Sequence, residues 1–219
     1  MDLSRTVSIP ELVSSNSALL VIDMQNGFCH TQGALSQAGI DVEAMMKVIP
    51  NVKKLVRVCR GASLPIIWSL VEYYPEPRAK LPKRLPNHKE KENVKGLCLR
   101  GSWDAELVDE LKSEAMLDDY YVRKQSFSAF YNTNLEVMLR TLDVSTLVIC
   151  GVSSNVCVES TARDAYFREY DVVVVRDCIA TQLEDLHQAT VKNVDMYLGI
   201  TVTLEQIQNA LAKTITVSH

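Results

Sequence analysis

Four runs constrain this chain more than anything else in it: ALLVI (18–22), PIIWSLV (65–71), TLVIC (146–150) and VVVV (172–175). Each is short and apolar at nearly every position. A strand with water on one side alternates apolar and polar residues, whereas a strand apolar throughout must be covered on both faces. Between these runs the apolar residues fall at helical spacing, as with Val48, Val52, Leu55, Val56 and Cys59. Buried strands alternating with helices make a parallel sheet clad on both sides. Right-handed crossovers then give a Rossmann-like, three-layer α/β/α doubly wound sandwich with a six-stranded, mainly parallel sheet. The expected strands are 17–23, 64–71, 120–124, 146–150, 172–176 and 201–204. The expected helices are 42–60, 104–111, 132–142 (capped by Asn132 or Thr133), 155–170, 183–197 and 205–213. Residues 24–42 and 72–100 are expected as loops.

The chain has 219 residues with no Gly/Ser or Pro-rich linker and no internal repeat, which favours a single domain over 1–219. A net charge of −4 argues against a nucleic-acid partner. The start, MDLSRTVSIPELVSS, lacks the uninterrupted apolar stretch of a signal peptide, and no apolar run approaches the length that spans a membrane. The expected location is the cytoplasm. The six cysteines are scattered without a C-x-x-C pair, so reduced thiols are expected and most should act as small core residues.

One cysteine stands apart. In ICGVSSNVCVESTARDAY (149–166) a strand runs through a glycine turn into a helix, which places Cys157 in the helix's first turn. Free N–H groups and the positive end of the helix dipole bias such a thiol toward thiolate. Asp23 closes the first strand and Lys124 the third. In open sheets of this kind ligands bind beyond the carboxyl ends of the strands, so one architecture gathers Asp23, Lys124 and Cys157. A thiolate attacks a carbonyl carbon and needs a proton shuttle and oxyanion donors. Asp23 suits the shuttle, Lys124 would hold and charge-stabilise both partners, and backbone N–H groups around Cys157 suit the oxyanion. Taken singly, two of these residues also have a plain reading: a turn cap for Asp23 and a rim charge for Lys124.

Three segments resemble the isochorismatase-like cysteine hydrolases: LLVIDMQNGF (19–28), VRKQSFSAFYNTNL (122–135) and VICGVSSNVCVESTARDAYFREYDVVVVRDC (148–178). The resemblance implies general acid/base Asp23, the family lysine at Lys124 and nucleophile Cys157. It also implies a cis peptide at Val152–Ser153, with the N–H groups of Ser153 and Cys157 as the oxyanion hole. Its pocket positions map to Gln25, Asn26, Phe28, Phe127 and Tyr131. Packing is the plain alternative for these, with Phe127 and Phe130 leaning toward the core. The resemblance further implies a homodimer or homotetramer.

Departures narrow the branch. The cysteine argues against vinyl-ether cleavage of the true isochorismatase type. The Asp-x-His metal motif of nicotinamidases is replaced by SLVEYYPEPR (69–78), and His30, His88, His187 and His219 show no close ligand spacing. No metal and no cofactor are expected. RGSWDAELVDEL (100–111) with SNVCVESTARD is most similar to the ureidoacrylate, N-carbamoyl and biuret-type amidohydrolases. The implied activity is cysteine-dependent hydrolysis of a C–N bond in a small amide or ureido compound through a thioester. Arg78, Lys80, Lys83, Arg84 and Arg100 are available to meet a substrate carboxylate. Alternatives are a catalytically silent binding or scaffold protein on the same fold, or a nicotinamidase-like amidase without metal. A nucleotide-binding dehydrogenase is disfavoured because no G-x-G-x-x-G follows the first strand.

Overall fold

A computed structural model describes residues 8–13, 16–74 and 94–217, the side chains of 213–217 excepted. Six strands form one sheet: β1 (Ser17–Ile22), β2 (Ile66–Val71), β3 (Tyr120–Lys124), β4 (Thr146–Val152), β5 (Asp171–Ala180) and β6 (Ile200–Val202). Every pairing is parallel and the order is β3-β2-β1-β4-β5-β6. The described helices are α1 (Ile9–Leu12), α2 (Asn26–Cys29), α3 (Ala34–Gln37), α4 (Glu43–Lys47), α5 (Ile49–Gly61), α6 (Asp109–Lys112), α7 (Leu135–Thr141), α8 (Glu159–Tyr166), α9 (Glu184–Asn193) and α10 (Leu204–Val217). None is long and apolar enough to cross a membrane.

β1, β2 and β4 are buried at every position because alternate residues feed two cores. Leu19, Val21, Trp68, Leu70 and Val148 pack with Val52, Leu55 and Val56 of α5 and with Ile207 and Leu211 of α10. Leu20, Ile22, Ile67 and Ile149 pack on the other face with Leu135 and Leu139 of α7 and Ala162 and Ala165 of α8. Burying one such leucine or isoleucine contributes roughly 1.5–3 kcal/mol. The sheet grows outward from β1 through β2 to β3, then restarts on β1's other side with β4. Chain direction across the sheet therefore reverses between β1 and β4, which leaves a crevice beyond their carboxyl ends.

Four expectations need correction. Residues 24–42 are not loop throughout, since they hold α2 and α3. The helix expected over 42–60 is two, α4 and α5. Pro50 lies in the first turn of α5, where its missing N–H leaves no helical bond unmade. β5 runs on past Arg176 to Ala180 through a register shift against Ile149 and Gly151 of β4. The polar pair Arg176-Asp177 hides this extension in the sequence. The helix expected over 104–111 is a 3₁₀ turn (Trp103–Ala105) followed by α6. Arg78, Lys80, Lys83 and Arg84 lie outside the described residues. Arg100 is described, and its exposed guanidinium pairs with Glu72 and sits over the Tyr74 ring.

Candidate active site

Asp23 follows β1 with φ of +52°, a left-handed conformation uncommon outside glycine. Continued alternation past Ile22 would turn Asp23 toward the α5 face. The left-handed residue instead brings its carboxylate to Lys124, whose neighbour-but-one Val122 packs on the opposite, α7 face. The turn is fixed by the Asp23 N–H donating to the Ser69 carbonyl (2.9 Å) and the Gln25 N–H donating to the Asp23 carbonyl (2.8 Å).

Lys124 ends β3, two strands from β1. Strands about 4.8 Å apart leave a gap of roughly 9–10 Å to span, which suits a lysine arm crossing the end of β2. Its ammonium donates to Asp23 Oδ2 (2.7 Å), the Ser126 carbonyl (3.0 Å) and Cys157 Sγ (3.4 Å). An ammonium has three protons, and each has an acceptor here.

Cys157 is delivered by β4. Gly151 has φ of +114°, and a Cβ built there would sit 2.0 Å from the Ile22 carbonyl oxygen. Only glycine lets β4 pass so close to the end of β1. The Val152–Ser153 peptide is cis. A wide π-turn (Ser154–Val158) follows, with the Val158 N–H donating to the Ser153 carbonyl (3.2 Å), and α8 continues it. Thr161 holds the turn from within α8. Its hydroxyl donates to the Cys157 carbonyl (2.7 Å) and accepts from the Ala129 N–H (3.0 Å). The β3–α7 segment and the cysteine turn thus share one buried hydroxyl.

The three side chains meet in the interior, with Asp23 0%, Lys124 1% and Cys157 6% exposed. Burial raises the Asp23 pKa above the ordinary carboxylate value against the pull of Lys124. Burial opposes the charge on the Lys124 ammonium, but Asp23 and Cys157 together more than offset it and raise its pKa. Burial pushes the Cys157 thiol up to about 12, opposed by Lys124 and reinforced by Asp23. In the resting site burial thus works against the thiolate bias expected from helix position. Helix position alone does not convey that the sulfur is sealed from water beside a carboxylate. Asp23 Oδ1 has no hydrogen-bond partner among the described residues. An acceptor-ready carboxylate of raised basicity beside a thiol is suited to take that thiol's proton.

The remaining candidates divide. Ser153 is half-buried, its hydroxyl 3.7 Å from Met45 Sδ, and its N–H belongs to the same turn as that of Cys157. Gln25 is fully buried, and its side chain is a strut. Nε2 donates to the Val71 and Ala105 carbonyls (2.8 Å each) and Oε1 accepts from the Val71 N–H (2.8 Å). The Asn26 amide donates to the Trp103 carbonyl (2.9 Å), and Phe28 belongs to the α5-side core. Phe127 and Tyr131 are 37% and 59% exposed. Phe127 thus does not pack in the core as its plain reading had it. Phe130 does, with the Arg168 guanidinium over its ring at 4.9 Å. Among the described residues no three His, Cys, Asp or Glu side chains converge as a metal site.

Sequence reasoning missed Thr161, Tyr73 and the pair Ser154–His187. Tyr73 is buried just past β2, and its hydroxyl pKa is raised by burial, with Cys157 and Asp23 adding to the shift. The signal for Thr161 was present: four residues from Cys157 on a helix is one turn.

The profile of the isochorismatase domain family matches residues 17–206. A ureidoacrylate amidohydrolase (RutB) of Yersinia enterocolitica is 33% identical over 217 residues, covering 94% of each chain. Its counterpart in Acinetobacter baylyi is 33% identical over 200 residues, 86% of this chain and 81% of the relative. Among solved structures, a cysteine hydrolase from Pseudomonas syringae superposes with a TM-score of 0.80 at 24% identity, covering 96% of this chain and 97% of that one. N-carbamoylsarcosine amidase from Thermoplasma acidophilum does so with 0.69 at 25%, covering 87% and 97%.

Proposed function

The chain belongs to the isochorismatase family, and from that membership we propose that it is a cysteine amidohydrolase acting on the C–N bond of a small amide or ureido compound. The amidohydrolase and amidase names of its relatives support C–N hydrolysis. Ureidoacrylate and N-carbamoylsarcosine share a carbonyl flanked by nitrogen on both sides, which makes ureido compounds the favoured substrate class. The observation that carries the reading is the ammonium of Lys124 held 2.7 Å from Asp23 and 3.4 Å from Cys157.

The proposed reaction uses Asp23 as a shuttle. Asp23 takes the Cys157 proton as the sulfur attacks the carbonyl carbon, so ion formation is coupled to substrate arrival. The tetrahedral oxyanion is met by the N–H groups of Ser153 and Cys157. Asp23 returns the proton to the leaving nitrogen, the C–N bond breaks, and a thioester remains on Cys157. Water, deprotonated by Asp23, then attacks the thioester and the thiol is regenerated. Lys124 remains protonated throughout and holds both partners in line. No step calls for a cofactor. A single domain assembled as a cytoplasmic homodimer or homotetramer completes the proposal, and light scattering of the purified protein tests the assembly.

The deciding experiment measures ammonia and carbamate release from ureidoacrylate, biuret, N-carbamoyl amino acids and nicotinamide. Cys157→Ala is expected to abolish release from every substrate the wild type turns over, with an unchanged melting temperature. Turnover by that variant rejects the assignment.

A further inference from the structure

The turn that carries Cys157 is gripped from outside at both ends by one helix. At its start, fully buried Ser154 places Oγ 3.1 Å from Nδ1 of His187 on α9. Just past its end, Glu159 accepts hydrogen bonds from Thr190 Oγ1 (2.8 Å) and Asn193 Nδ2 (3.0 Å) of the same helix. Ser154 follows the residue whose N–H would face the oxyanion, and Cys157 lies between the two grips.

We propose that His187 is a positioning residue for the oxyanion donors: its ring fixes Ser154 and thereby the direction of the Ser153 N–H. The inference rests on the amidohydrolase reading. Ser154 is sealed from water, so its hydroxyl has no solvent partner to fall back on if the ring is lost. A serine hydroxyl donates or accepts, so the contact holds with either ring tautomer. Oxyanion charge exists only while the tetrahedral species forms. Slack in its donors therefore lowers kcat and leaves substrate binding alone. Glu159 keeps the far end of the turn in place, so the effect stays local to the Ser154 end.

The test compares His187→Leu, His187→Asn and Ser154→Ala with wild type on the best ureido substrate. His187→Leu is expected to lower kcat about 10- to 100-fold with KM within about twofold, the range seen when a supporting contact behind reacting groups is lost. His187→Asn, whose amide nitrogen falls near the position of Nδ1, is expected to recover most of that loss. Ser154→Ala combined with His187→Leu should be little worse than either alone, because both remove one contact. The acid limb of the pH profile, governed by Asp23, should not move. Unchanged kcat in His187→Leu and in Ser154→Ala overturns the inference, as do multiplying losses in the double variant. Equal failure of the Leu and Asn variants with lowered melting temperatures makes His187 a merely structural support and also overturns it. A wild type inactive on every amide and ureido compound rejects the amidohydrolase reading itself, and this inference falls with it.

Discussion

The Lys124 ammonium donates to Asp23 at 2.7 Å although the strand between theirs, β2, contributes no charge to the contact. Both groups are shut off from water, so each depends on the other. Removing one partner of a buried pair leaves an uncompensated charge and typically destabilises by about 3–5 kcal/mol. Lys124→Met is therefore expected to lose activity and to lower denaturant stability by that amount at neutral pH. The deficit should shrink as pH falls, because the stranded carboxyl, its pKa already raised in wild type, becomes neutral on protonation. A variant equally destabilised at pH 4 and pH 7 contradicts this account.

The protonation states make a second prediction. With the thiol pushed up to about 12 by burial, the resting enzyme is expected to hold little thiolate at neutral pH. Thiolate absorbance, taken as wild type minus Cys157→Ala, should grow only well above pH 9. In the proposed mechanism Asp23 must be ionised to accept the thiol proton, and its raised pKa means it protonates at higher pH than a free aspartate. The rate kcat/KM should thus fall on acidification with a midpoint above the ordinary value near 4. A thiolate band at pH 7 contradicts the substrate-coupled proton transfer.

Gly151 supplies a third. Any Cβ there meets the Ile22 backbone and a left-handed φ at once. Gly151→Ala is expected to cost about 3 kcal/mol or more, with β1 and β4 forced apart just below the site. Thermal denaturation checks the loss. Near-wild-type stability would mean that the two strands are not so closely apposed.

Gln25 supplies a fourth. All three of its amide interactions end on backbone groups. Gln25→Ala leaves those groups unpaired in the interior, at about 1–3 kcal/mol for each that no water reaches. The expected outcome is lower stability with KM little changed. An increase in KM at full stability would restore Gln25 to the substrate contacts that the sequence suggested.

What the sequence disclosed follows from what burial does to composition. β1, β2 and β4 lack a polar face, so their strand character and parallel packing could be read directly. Asp23, Lys124 and Cys157 stood out because charge or reactivity at a strand end is conspicuous after an apolar run. The hidden features depend on context. β5 continues through Arg176 and Asp177 because of a register shift, and no local pattern encodes that. The bias of Cys157 toward thiolate came from helix position, which is local, whereas its desolvation comes from the buried surroundings that the fold assembles. His187 lies 33 residues from Ser154, on a helix whose polar residues resemble any solvated surface.

The strand order has a consequence for how the protein is made. Synthesis delivers β1, β2 and β3 first, and β4 must return to the far side of β1. A nascent chain that has not yet reached residue 146 already holds Asp23 and Lys124 but not Cys157. Cys157 follows only after β4, so the three side chains can meet only once that strand has been added beside β1.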